Sequence, residues 1–260
     1  EIIENIGEGT FGKVFKGKNI KTSEIIAIKI QHKDVTNILR YEAKLYKYLN
    51  DISGIPFLRN FGTESGYNFL IMDYIDFSLD KCEFNNKEII ELLIQAIIII
   101  KNIHEKGIIH RDIKPDNFLF KSSNKTIYII DFGLSKSYLI ENKNHIEERK
   151  DKKLIGTVKY SSLNVHDGIE PSRRDDIESL CYTFTSLYNN GLPWDNINDL
   201  DNKDLYYKQI YELKKNNLEW LYDIPSEFLS LLLYSRKLNF NEKPNYNYIE
   251  SLFNNLLKLL

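Results

Sequence analysis

The stretch His110-Arg111-Asp112-Ile113-Lys114-Pro115-Asp116-Asn117 decides how the rest of the chain reads. It follows a long helical pattern, Asn86–Lys106, and precedes short β-type runs at Phe118–Phe120 and Thr126–Ile130. It sets a carboxylate, an ammonium and an amide close together. Asp112 can accept the proton of an attacking hydroxyl and orient its oxygen. Lys114 can neutralise charge on a transferring phosphoryl group, and Asn117 can offer an amide oxygen to Mg²⁺.

Downstream comes Ile129-Ile130-Asp131-Phe132-Gly133. Asp131 leaves a strand ahead of a glycine turn and supplies a second hard oxygen for Mg²⁺. Upstream, an apolar run ends in Ala27-Ile28-Lys29. The helical spacing of Val35–Asn50 puts Ile38, Glu42, Leu45 and Leu49 on one face. Glu42 then points inward, and a buried carboxylate needs a cation. Lys29 is the available one. The pair would fix the ammonium against α- and β-phosphates; the plain alternative is a structural salt bridge. Near the start stands Gly7-Glu8-Gly9-Thr10-Phe11-Gly12-Lys13-Val14. Glycines at this spacing let backbone N–H groups approach phosphate oxygens. A dinucleotide-binding turn shares the spacing but opens a helix. Here the β-type run Val14-Phe15-Lys16-Gly17 follows, so a hairpin over phosphates, or a plain Gly-rich hairpin, fits better.

Two kinds of pattern divide the chain. Strand-like runs, Lys13–Lys18, Ile25–Gln31, Phe57–Thr63 and Tyr67–Tyr74, fill the N-terminal portion. After Asp76 helical patterns dominate: Asn86–Lys106, Arg174–Asn189, Asn202–Asn216, Ser226–Ser235 and Tyr246–Leu259. The reading is one α+β domain over residues 1–260, strand-rich over residues 1–72, with a connector at 73–76 and a helical portion over 77–260.

The bulk properties exclude little. A formal net charge of -2 gives no electrostatic case for nucleic acid or membrane binding. Ile89–Ile100 is too short to span a bilayer and reads as a core helix. Cys82 and Cys181 lack metal-ligand spacing, and a reducing compartment, cytoplasm or nucleus, fits them best. No signal peptide opens the chain as given.

Taken in order, these segments match the protein-kinase signature set. The activation segment narrows the resemblance. It reads Gly156-Thr157-Val158-Lys159-Tyr160-Ser161-Ser162-Leu163-Asn164 where most kinases carry Ala-Pro-Glu, and Ser172-Arg173-Arg174-Asp175-Asp176 follows. With Phe240-Asn241-Glu242-Lys243-Pro244-Asn245-Tyr246, these stretches resemble the casein kinase I family of serine/threonine kinases. Vaccinia-related kinases are the nearer alternative, and the Ser172–Asp176 block favours casein kinase I.

That resemblance implies a two-lobed kinase fold and an enzyme that uses ATP and Mg²⁺ to phosphorylate Ser or Thr of protein substrates. The substrates would be acidic or already phosphorylated, and the enzyme a monomer. It implies catalytic roles for Asp112, Lys114, Lys29, Glu42 and Thr157. Nucleotide contacts would come from Gly7, Glu8, Gly9, Thr10, Phe11, Gly12, Val14, Ala27, Lys29, Met72, Asp73, Ile75 and Asp131. Asn117 and Asp131 would be the metal ligands. Thr157 would bond to Asp112 and Lys114, and Asp176 would anchor the loop around them. Arg111, Lys152, Lys159 and Arg173 would form a pocket for a substrate phosphate. Two departures stand out: Lys159 replaces the family's Arg, and Tyr206 stands where the family has a Lys. Cys181, in place of a Gly, reads as packing. The segment offers no hydroxyl that must be phosphorylated for activity. The competing class is a pseudokinase that binds nucleotide as a scaffold.

Overall fold

The computed structural model describes residues 1–9, 12–34, 38–140, 144–197 and 202–260. Thr10 and Phe11 of the glycine-rich stretch, and Val35 at the expected helix start, lie outside these.

Packing divides the chain into two compact units. The first holds residues 1–78 and 118–133, and the second holds 79–117 and 134–260. The lobe boundary expected around 72–77 is thus crossed again, because segment 118–133 packs with the strand-rich portion. Its first strand pairs with a short strand that precedes residue 79.

In the first unit, β1 (Ile2–Gly9), β2 (Gly12–Lys18), β3 (Ile25–His32), β4 (Leu58–Glu64) and β5 (Tyr67–Asp73) form an antiparallel sheet in the order β1-β2-β3-β5-β4. One helix, α1 (Ile38–Tyr48), packs on β4 and β5. Its buried side chains include Leu39, Glu42, Leu45 and Tyr46. The stripe read at Ile38, Glu42, Leu45 and Leu49 is therefore correct in direction, although Ile38 itself is half-buried. A second small sheet joins β6 (Phe77–Ser78), β8 (Phe118–Lys121) and β9 (Thr126–Ile129). β1 carries no alternating pattern because both its faces are exposed, so period-two reading passes over it.

The second unit is helical. α2 (Asn86–Glu105) buries Ile90, Leu93, Ile97 and Ile100 completely, and Ile89, Leu92 and Ile99 nearly so. A helix apolar over so much of its surface belongs in a core, and α2 packs against two other helices, α4 (Arg173–Tyr188) and α7 (Tyr246–Leu257). Among the described residues, no helix is long and apolar enough to cross a membrane. The start of α2 is fixed by a reciprocal cap: Glu88 N–H donates to Asn85 Oδ1 and Asn85 N–H to Glu88 Oε2. The unit also holds α3 (Leu163–His166), α5 (Lys203–Asn216) and α6 (Ser226–Lys237), with β7 (Ile108–Ile109) paired to β10 (Lys136–Ser137). α3 is a single turn, too short to show a period.

Candidate active site

Register places several of the expected nucleotide residues on the first sheet. Gly7 pairs with Val14, Val14 with Lys29, and Lys29 with Leu70. One step along, Lys16 pairs with Ala27 and Ala27 with Met72. Directly opposed residues share a face, and i, i+2 neighbours repeat it. Gly7, Val14, Ala27, Lys29 and Met72 therefore lie on one face. The glycine-rich stretch is a hairpin, with Glu8 opposite Lys13 and Gly9 opposite Gly12. Gly12 has φ +125°, and a Cβ there would come within 2.2 Å of the Ile30 carbonyl, so only glycine fits. Asp73 ends β5, with its side chain on Arg59 Nε at 2.7 Å and its N–H on the Phe57 carbonyl. Ile75 is buried just beyond.

The centre of this unit is an ion network. Lys29 Nζ lies 2.8 Å from Glu42 Oε2 and 3.0 Å from Asp131 Oδ1. Burial works against the ammonium's charge, but the two carboxylates outweigh it and hold its pKa above the ordinary lysine value. Asp131 has φ +66°, an uncommon backbone conformation for a non-glycine residue. Its N–H donates to Tyr46 Oη at 3.1 Å, while the Tyr46 ring meets Phe132 edge-on with centroids 5.1 Å apart. Burial raises the Tyr46 pKa well above normal, so it stays a phenol.

The second unit holds a hydrogen-bonded cluster around Asp112. Thr157 donates its N–H and its Oγ1–H to Asp112 Oδ1, at 2.9 and 2.8 Å. Lys114 Nζ donates to Thr157 Oγ1 at 3.1 Å and lies 3.2 Å from Asp112 Oδ2. Asn117 Nδ2 donates to the Asp112 carbonyl at 2.8 Å and to Oδ2 at 3.2 Å. That turns the Asn117 amide oxygen away from Asp112.

Asp176 fixes the loop beneath. His110 N–H donates to its Oδ2 at 2.7 Å and Arg111 N–H to its Oδ1 at 2.9 Å, while His104 Nε2 lies 2.9 Å from Oδ2. Burial would raise the Asp176 pKa; the His104 hydrogen bond and its neighbours outweigh that and keep it below the ordinary carboxylate value. Two consecutive N–H groups aimed at one carboxylate accompany φ +70° at Arg111, a strained conformation the clamp holds in place. Asp175 takes the helix-capping task instead, accepting from Ser172 N–H at 2.7 Å. Gly156, φ +82°, lies so close that a Cβ would come within 2.5 Å of the Arg111 carbonyl.

In this geometry each of the four cations expected to form a substrate-phosphate pocket has a partner within the protein. Arg173 is only 9% exposed, stacks on Tyr138 and donates to the Asn241 carbonyl at 2.7 Å. Its charge is used to join α4 to the C-terminal segment. Lys159 is paired with Asp195 at 2.7 Å, Lys152 with Glu170 at 3.3 Å, and Arg111 Nε donates to the Leu134 carbonyl at 2.6 Å. Cys181 is packing, as read: it is fully buried, and burial pushes its thiol up to about 12. Sequence reasoning missed Tyr46, His104 and Gly156. Tyr46 stands four residues after Glu42, a helical spacing that could have pointed to it.

The chain thus holds a strand-rich unit built around Lys29 and a helical unit built around Asp112. The family model of the protein kinase domain matches residues 1–252, and the chain belongs to that family, within the eukaryotic protein-kinase superfamily.

Proposed function

We propose that this kinase is a serine/threonine kinase of the casein kinase I type, which moves the γ-phosphoryl group of ATP to Ser or Thr of acidic protein substrates. One observation carries the reading: Thr157 bridges Asp112 and Lys114 through a single hydroxyl. The casein kinase I resemblance gains support from contact between its two signature blocks. Arg173 reaches the Asn241 carbonyl, and Arg174 reaches the Leu238 carbonyl and stacks over Phe240.

In this reading the acceptor hydroxyl donates its hydrogen bond to the Asp112 carboxylate. Its oxygen forms the new P–O bond as the bond from the γ-phosphorus to the β–γ bridging oxygen breaks; ADP leaves, and the proton passes to Asp112. Thr157 and Asn117 hold that carboxylate in one orientation, so the protein contributes mainly positioning and electrostatics. Lys114 offsets charge on the transferred group, and Lys29, aligned by Glu42, offsets charge on the α- and β-phosphates. Asp131 and Asn117 present hard oxygens of the kind Mg²⁺ takes, and would hold it. When bound, the ion neutralises phosphate charge.

The activation-segment hydroxyls already have partners. Thr157 bonds to Asp112, Ser161 Oγ to the Thr157 carbonyl, Ser162 Oγ to Asp175 and Tyr138 Oη to the His104 carbonyl. These bonds support the expectation that the enzyme is active without phosphorylation of this segment. The test is transfer from ATP to three peptides differing only in a Ser, Thr or Tyr acceptor. Transfer to Ser and Thr at least about 100-fold above Tyr supports the reading; equal transfer to Tyr contradicts it.

A further inference from the structure

Near its C-terminal end, α5 carries a lysine that no sequence pattern singles out. Lys214 is fully buried, while Lys215 beside it is exposed. Lys214 Nζ donates to the Val158 carbonyl at 2.9 Å and to the Ser161 carbonyl at 2.6 Å, and lies 3.2 Å from His166 Nε2. The Tyr182 and Trp194 ring centroids lie 4.7 and 5.2 Å from Lys214 Nζ. A buried lysine ordinarily takes a carboxylate partner; this one takes two carbonyls, a ring nitrogen and two aromatic faces, and burial holds its pKa well below the ordinary lysine value. Burial, and then Lys214, hold His166 down to about 3, so its ring is neutral.

The carbonyls belong to the segment that holds the Asp112 carboxylate. Val158 follows Thr157, whose N–H and hydroxyl both bond to Asp112. The neighbouring groups are tied down from the same side. Trp194 Nε1 donates to the Lys159 carbonyl at 2.9 Å, and Leu163 N–H donates to Glu178 Oε1 at 3.2 Å. Glu178 is held in turn by Arg236 Nε, and Arg236 also donates to the Lys214 carbonyl at 2.8 Å. Adjacent Cα atoms are about 3.8 Å apart, so a shift at the Val158 carbonyl reaches Thr157 directly.

We propose that Lys214 is a positioning residue for the acceptor: it seats the Thr157–Ser162 segment, and so sets where the acceptor chain lies against Asp112. The proposal rests on the kinase reading above. The Lys214 partners Val158, Ser161 and His166 are not among the expected nucleotide residues, so removing Lys214 should act on the acceptor rather than on ATP.

The test compares wild type, Lys214→Met and Lys214→Gln. Methionine keeps the length and loses every donor; glutamine keeps N–H donors for the carbonyls. The expected result for Met is a KM for the acceptor peptide raised about tenfold, with the KM for ATP within about twofold of wild type. Glutamine recovers most of this, leaving KM about threefold above wild type. Amide hydrogen exchange at residues 158–163 should quicken in Met, with α2 unchanged. A lower melting temperature with unchanged peptide KM and unchanged local exchange would show that Lys214 only fills space, and would overturn the proposal. If Met does not fold, the Gln variant decides by the same two readouts. Wild type that transfers no phosphate to any peptide overturns the kinase reading instead, and the exchange arm still reports whether Lys214 holds the segment.

Discussion

The two clusters hold a carboxylate in different ways. Around Lys29 the partners are ions: one ammonium between the Glu42 and Asp131 carboxylates. Around Asp112 the partners are mostly neutral donors, the Thr157 N–H and hydroxyl and the Asn117 amide. Removing one ion from a buried network leaves a charge without compensation, which costs stability. Removing one neutral donor frees a side chain to rotate, which costs orientation more than stability. The first cluster should therefore answer to mutation in both folding and activity, and the second chiefly in activity.

The largest effects test whether both clusters serve one reaction. Asp112→Ala should lower kcat by about 10²–10⁴. Asp131→Asn should do at least as much damage, and near-normal turnover in that variant would remove Asp131 from the metal assignment. Thr157→Val keeps the shape of the side chain and loses the bridge. We expect kcat to fall about 10–100-fold with stability changed by less than about 1.5 kcal/mol, while Thr157→Ser stays close to wild type. Glu42→Ala sharpens the contrast: a denaturant midpoint should report a loss of about 2–4 kcal/mol, because Lys29 and Asp131 remain without it. If Thr157→Val proves the more destabilising of the two, the comparison fails.

How much of this was legible follows from where each residue's signal lies. Glu42 stood in an apolar stripe, which demanded a cation, and Lys29 was the one on the preceding strand. Asp112, Asn117 and Asp131 stood in segments whose residue types have few other uses together. Tyr46 went unread because its hydroxyl partner, the Asp131 N–H, is distant in sequence. Arg173 looked like a surface cation because nothing local shows that Tyr138 and Asn241 converge on it. Lys214 sits in a charged helix end, where a lysine normally faces water. The pairing of segment 118–133 with β6 is likewise a long-range fact. Local periodicity and motif chemistry were readable; side-chain partners across long separations were not.

Two smaller effects probe the edges of the second cluster. His166 is held neutral in the folded chain, mainly by burial and then by Lys214, with its pKa down at about 3. An unfolded histidine titrates near about 6.5, so between these values the unfolded chain binds more protons. Stability must then fall as pH drops from about 6.5 toward 3. His166→Gln should remove a share of that loss, about 1 kcal/mol between pH 6.5 and 5 by urea midpoint; an unchanged acid limb would contradict the assignment. Smallest of all is priming. With Arg173 buried and Lys159 paired to Asp195, a phosphoserine three residues before the acceptor should change kcat/KM by less than about threefold. A larger gain would mean that these cations exchange their partners for substrate phosphate.

The central claim is that the Lys29 and Asp112 clusters together transfer phosphate to a hydroxyl of a protein. The most direct measurement is transfer of labelled phosphate from MgATP to casein and to a Ser-containing acidic peptide, by wild type and by Asp131→Asn. The account predicts incorporation by wild type alone, before and after phosphatase treatment of the enzyme. No incorporation by wild type that still gains thermal stability from MgATP would contradict it, and would leave a nucleotide-binding scaffold in place of an enzyme.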